Sequence, residues 1–79
     1  MYEEPAYYTE SELSLLRSNP NVLKVTKKLI TFSPSFKAAA VEAYLNHQRP
    51  TDIFRNAGFN IELIGREIPK RSLFRWRIV

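Results

Sequence analysis

The sequence predicts a mainly α fold: a three-helix core over residues 33–79, preceded by an extra N-terminal helix and a small β-hairpin. Helix-start signals recur at Thr9, at Ser33-Pro34, at Pro50 and at Pro69. Apolar residues follow each of them at helical spacing, and only residues 21–32 are dominated by β-formers. The organisation expected is an irregular acidic arm over 1–8, a helix and hairpin over 9–32, and the helical core over 33–79, all within one compact domain.

The arm carries Pro5 and three tyrosines without a period. Thr9-Glu10-Ser11-Glu12 then has the form of a capping box, in which the Thr9 hydroxyl accepts from the Glu12 amide and the Glu12 carboxylate reaches back. Leu13 and Leu16 give this helix an apolar edge with Leu15 beside it, and Asn19-Pro20 ends it, because a residue before proline avoids the α region. Val22, Leu23, Val25, Ile30 and Phe32 suit strands on either side of Lys27-Lys28. That turn contains neither Asn-Gly nor any glycine, so its type is not specified by its composition.

Ser33 and Pro34 suit the N-cap and first position of a helix running to about Asn46, with Phe36, Ala40, Val41 and Tyr44 forming its apolar stripe. Pro50 opens a short helix whose core candidates are Ile53, Phe54 and Ala57, and Gly58 closes it in the left-handed conformation. Asn60 caps a further turn closed by Gly65. In the last helix Pro69 takes the first position, with Leu73 and Trp76 on its face. Lys70, Phe74 and Arg77 form a second face, and Arg71 and Arg75 a third.

Seventy-nine residues bury only about 60% of the surface of the unfolded chain, which leaves little room for a deep catalytic cleft. The absence of cysteine excludes disulfides, thiolate nucleophiles and Cys-containing zinc fingers. His47 has no second histidine with which to hold a metal, and no pair of carboxylates stands at catalytic spacing. We therefore expect no enzyme, no cofactor, no metal and no small-molecule ligand. No run approaches the roughly 18 apolar residues of a membrane span, and the expected setting is cytoplasmic, at the nucleoid.

Charge is unevenly placed. The net of +4 conceals Glu3, Glu4, Glu10 and Glu12 in the first twelve residues, with no base among them. Residues 13–79 hold all twelve basic residues against four acidic ones, a net of +8. A field of that sign attracts phosphate backbones. The acidic arm either aids solubility or competes with the polyanion.

A long helix, a short helix ended by glycine and a basic helix with an inward aromatic together make the arrangement of a helix-turn-helix unit. Three blocks carry a closer likeness: Phe36-Lys37-Ala38-Ala39-Ala40-Val41-Glu42-Ala43-Tyr44-Leu45, Pro50-Thr51-Asp52-Ile53-Phe54-Arg55-Asn56-Ala57-Gly58, and Ser72-Leu73-Phe74-Arg75-Trp76-Arg77. Over residues 32–78 the chain resembles the DNA-binding domain of bacterial insertion-sequence transposases, in particular their small accessory subunit. The resemblance implies binding to terminal repeats of a mobile element, with the last helix in the major groove and no chemistry of its own. It also implies a homodimer or a larger transposase as partner. Two departures stand out: ten residues separate Gly58 from Pro69, where a simple helix-turn-helix uses three or four, and no heptad segment follows Trp76. A transposition protein, an excised domain or a derived transcription regulator all fit.

The expected DNA-binding residues are Lys70, Arg71, Phe74, Arg75 and Arg77 on the last helix, with Lys37, Arg49 and Arg55 from the two before it. Arg71 and Arg75 are the best placed to read bases; Lys37, Arg49 and Arg55 are phosphate contacts or solvated charge. Phe74 suits a thymine methyl, a partner protein or plain exposure, Trp76 suits the core, and Ser72 either touches phosphate or serves only the helix. Lys27-Lys28 is either a wing on the DNA backbone or a solubility device at a hairpin tip. The competing function is a protein-interaction module that uses the basic helix and the acidic arm.

Overall fold

The computed structural model describes residues 8–78. Of the acidic arm over 1–8, residues 1–7 lie outside the described residues. The chain forms α1 (Glu10–Arg17), β1 (Val22–Val25), β2 (Ile30–Phe32), α2 (Pro34–Leu45), α3 (Pro50–Asn56), α4 (Ile61–Ile64) and α5 (Glu67–Ile78). Helices α2, α3 and α5 pack on one another, and α1 packs on β1. This is the mainly α helix-turn-helix fold with a small hairpin that the sequence predicts.

Local chemistry accounts for the helix ends. Thr9 Oγ1 accepts from the Glu12 amide at 3.2 Å and Glu12 Oε1 accepts from the Thr9 amide at 2.8 Å, completing the capping box of α1. Ser33 Oγ accepts from the Phe36 amide at the head of α2. Asn60 Oδ1 accepts from the amides of Glu62 and Leu63, starting α4. Helix α3 has no such cap: its N-cap is Arg49 and no side chain bonds its first amides.

One expectation needs correction. The last helix begins at Glu67, so Pro69 is its third residue and not its first. Proline is harmless there, because the amides of the first turn have no carbonyl partner inside the helix and the residue four before Pro69 lies outside it. The ten residues between α3 and α5, 57–66, are not a loose turn: Phe59, Ile61 and Ile64 are buried and hold α4 in the core.

The hairpin closes without glycine. Thr26 donates its amide to the Leu29 carbonyl at 2.8 Å, and its hydroxyl accepts from the Leu29 amide at 3.1 Å and the Lys28 amide at 3.4 Å. The threonine side chain supplies the turn bond that Asn-Gly geometry would otherwise provide. A bulge at Leu23 shifts the register, so that Val22 faces Phe32 and Val25 faces Ile30. Outside the hairpin, the Tyr8 amide donates to the Lys27 carbonyl and fixes the chain before α1 against the hairpin tip.

The core centres on five aromatic rings. Phe32 from β2, Phe36 from α2, Phe54 from α3, Phe59 after it and Trp76 from α5 meet with centroid separations of 5.1 to 6.0 Å. Most meet edge to face, the favourable quadrupole arrangement, whereas Trp76 stacks on Phe54 at 17°. Leu13, Leu16, Val25, Ala40, Ile53 and Leu73 complete the core around them.

Two helices end in the same hydrogen-bond pattern on different residues. After α3, the Gly58 amide donates to the Arg55 carbonyl and the Phe59 amide to the Phe54 carbonyl, with Gly58 at φ 94°. After α2, the His47 amide donates to Tyr44 and the Gln48 amide to Ala43, with His47 at φ 73°. A side chain at positive φ is strained, so His47→Gly should raise stability by about 0.5–1 kcal/mol. Gly58→Ala should lower it by about 1–2 kcal/mol, because a Cβ there would also stand 3.1 Å from Asn19 Nδ2, which is held by its bond to the Ala57 carbonyl. Urea unfolding midpoints that moved in the same direction for both variants would contradict this account.

Burial, and secondarily the Glu12 carboxylate, raise the Tyr8 phenol above its usual 10.0. A raised acid pKa means that the neutral phenol is favoured in the folded state. The resulting stabilisation is complete below the unfolded value and is lost as pH rises through the folded one. Wild type should therefore lose stability relative to Tyr8→Phe above about pH 10, measured as thermal midpoints across alkaline buffers; parallel midpoints would refute it.

Candidate nucleic-acid interface

Helix α5 presents three kinds of surface. At about 100° per residue, Pro69, Ser72, Leu73 and Trp76 share one side. Pro69, Ser72 and Leu73 are buried and Trp76 half-buried, so that side is the anchor. The opposite ridge carries Glu67, Arg71 and Phe74, with Phe74 59% exposed despite its size. Lys70 and Arg77 flank this ridge on one side and Arg75 on the other.

Each flank borders a cleft. The first lies where α5 meets the end of α2 and the start of α3, and Tyr44, Pro50, Lys70, Phe74 and Arg77 line it. The Arg77 guanidinium lies 5.3 Å from the Tyr44 ring centroid and 5.8 Å from that of Phe74. Two ring faces thus restrain a long cation that would otherwise sweep freely. The second cleft lies between α5 and the hairpin, lined by Lys28, Thr31, Lys37, Arg71, Arg75 and Trp76 among others. Lys37 Nζ lies 5.9 Å from the Trp76 ring centroid, so Lys37 covers the core edge as well as facing the cleft.

The residues expected at the interface therefore divide. Lys70, Arg71, Phe74 and Arg77 come together at the first cleft, and Lys37, Arg71 and Arg75 at the second. Arg49 precedes Pro50 of the first cleft. Arg55 lines neither of these clefts and is paired with Asp52 at 3.1 Å. Arg71 pairs with Glu67 at 3.4 Å and Arg66 with Glu62 at 2.9 Å. All these pairs are exposed and carry little energy, so a phosphate can displace the carboxylate. Lys70, Arg49 and Arg75 have no ion pair among the described residues.

Sequence reasoning placed Tyr44 in the apolar stripe, yet it also forms a wall of the first cleft. A ring with a polar tip at the margin of a stripe was the available signal. Lys28, a wing candidate in the sequence, lines the second cleft, and its place beside α5 depends on long-range packing. Ser72 is buried at the edge of the second cleft. His47 is exposed. Among the described residues no group of three His, Cys, Asp or Glu side chains could hold a metal ion, and no helix is long and apolar enough to cross a membrane.

A family model described as transposon-related HTH domain protein matches residues 5–73. The match starts well before the blocks at 32–78 that carry the sequence resemblance, taking in α1 and the hairpin, and it stops ahead of Arg75-Trp76-Arg77. No curated protein and no solved structure matches the chain significantly. With most of its length matched, and with α2, α3 and α5 packed as a helix-turn-helix, the chain belongs to the family of transposon-related HTH domain proteins.

Proposed function

We propose that the protein binds double-stranded DNA sequence-specifically, with α5 in the major groove, as a transposition protein or a transcription regulator derived from one. Family membership makes DNA the partner class at a general level and describes a binding rather than a catalytic unit. The observation that carries the finer reading is the design of α5: a rigidly anchored helix whose ridge bears Arg71 and Phe74 and whose flanks bear cations on both sides. A helix in a groove presents its ridge to base edges and its flanks to the two phosphate backbones.

On this reading Arg71 takes a guanine edge and Phe74 a thymine methyl. Lys70, Arg77 and Arg49 grip one strand, while Arg75 and Lys37 grip the other. Arg75 thereby moves from base reader to backbone contact, because it lies toward the hairpin and off the ridge. Arg55, which lines neither cleft and is paired with Asp52, has the weakest case of the eight. The arm, the α1–hairpin segment and the helical core act as one domain at the nucleoid, paired with a second copy or a larger transposase.

Fluorescence anisotropy of the protein with a random duplex should show micromolar binding that weakens steeply with salt. Absence of binding at low salt would sink the proposal, and salt-insensitive binding to a protein instead would favour an interaction module. Once a preferred site is selected, Arg71→Ala should cost about 1–3 kcal/mol on it and relax its preference, while Lys70→Ala should weaken all duplexes alike. Equal behaviour of the two would refute the division into ridge and flank.

Arg49 offers a separate check. A cation at an uncapped helix start opposes the helix dipole, so Arg49→Asp should stabilise the fold by about 1 kcal/mol while weakening DNA binding. Stabilisation with unchanged affinity would remove Arg49 from the interface.

A further inference from the structure

We infer that Tyr44 is a positioning residue of the DNA interface: its ring holds the Arg77 guanidinium in the posture from which Arg77 takes a phosphate at the first cleft, without itself touching DNA. The inference rests on the DNA-binding reading above and adds a residue of α2 that acts through a cation of α5.

Arg77 stands in the last turn of α5, where helices fray and a long side chain has least to lean on. Its guanidinium nevertheless lies 5.3 Å from the Tyr44 ring centroid and 5.8 Å from that of Phe74. Phe74 sits three residues earlier on the same helix and moves with it, whereas Tyr44 belongs to α2. The Tyr44 contact is thus the one that ties the cation to a second, independently packed helix. Tyr44 is itself half-buried against the core, which fixes the platform it offers.

The way Arg77 is held differs from the way other arginines are held. Arg55, Arg66 and Arg71 are paired with carboxylates at 2.9 to 3.4 Å, which occupy the N–H donors that a phosphate would need. A ring engages the face of the guanidinium and leaves the donors at its edge free. A ring platform therefore restrains Arg77 without competing with an anion, and a restrained side chain loses less conformational entropy when it binds. Lys70 lies two turns earlier on the same flank and lines the same cleft, whose remaining walls include Pro50 and Leu73. Against these apolar walls a charge-assisted hydrogen bond to phosphate is strengthened by the low local dielectric.

Packing alone would be served at position 44 by any bulky apolar side chain, and this separates the two roles. The test is a double-mutant cycle, read by anisotropy of the full chain on a random duplex across a salt series. Arg77→Ala should weaken binding several-fold and reduce the slope of log affinity against log salt by about one. Tyr44→Leu, which keeps apolar bulk and removes the ring, should weaken binding several-fold in the wild-type background and change nothing further in Arg77→Ala. Tyr44→Phe, which keeps the ring, should bind like wild type. Circular dichroism melts check that each variant is folded, and Tyr44→Gln repeats the cycle should Tyr44→Leu melt early. Equal losses from Tyr44→Leu in both backgrounds, or a Tyr44→Phe as weak as Tyr44→Leu, would overturn the positioning role. If Arg77→Ala binds like wild type while Arg71→Ala still loses affinity, the positioning role is wrong and the helix-in-groove reading stands. If wild type does not bind duplex at low salt, both fall together.

Discussion

Everything in this fold that bears on DNA depends on the contact of five rings from different parts of the chain. Phe54 of α3 is fully buried, and Phe32, Phe36, Phe59 and Trp76 all pack within 6.0 Å of its ring or of one another's. No two of these rings come from the same helix or strand. The cluster therefore fixes α5 relative to α2 and α3, and the hairpin relative to α5, in a single packing event. Edge-to-face geometry adds about 0.5–1.5 kcal/mol per pair beyond burial, which matters in a chain too short to bury a large core. Because Trp76 is both a member of the cluster and a residue of the basic helix, core packing sets the rotation of the cationic faces.

The Asn19–Asn21 segment supplies a polar counterpart to the cluster. The side-chain amides of Asn19 and Asn21 both donate to the Ala57 carbonyl, and Asn19 Oδ1 accepts from the Asn21 backbone amide. A helix C-terminus leaves carbonyls without partners, and here two side chains from a remote turn satisfy one of them. This ties the N-terminal helix and hairpin to the glycine end of α3. The family match likewise treats these parts as continuous, running from residue 5 through the helix-turn-helix.

Sequence legibility followed the range of the interactions. The capping box at Thr9, the serine cap at Ser33, the asparagine cap at Asn60 and the glycine closing α3 all act within a few residues, and each was readable from spacing alone. The start of α5 was misplaced by two residues because proline is tolerated anywhere in a first turn, so Pro69 marks a region and not a position. The periodicity of α5 separated its buried side from its charged ones, since Leu73, Trp76 and Pro69 needed only a helical wheel. It could not say that Arg77 would lie over Tyr44, or that Lys28 would share a cleft with Arg75, because those neighbours come from elements 33 and 47 residues away. The charge of the candidate interface was therefore legible, and its shape was not.

The turn between α2 and α3 shows where local rules give way. Helices α1, α2 and α4 begin on side chains that satisfy their first amides, and α3 and α4 are followed by glycines at positive φ. Within residues 46–49 both rules are broken at once: His47 takes the left-handed conformation that glycine would hold more cheaply, and Arg49 stands at a helix start it cannot cap. Two such departures together cost on the order of 1–2 kcal/mol, a large fraction of the margin of a small domain. Their position next to Pro50 and Tyr44, at the mouth of the cleft that holds Lys70 and Arg77, is where a phosphate contact by Arg49 would offset them. Stability given up at one tight turn is thus consistent with a surface shaped for a ligand that the isolated fold does not need.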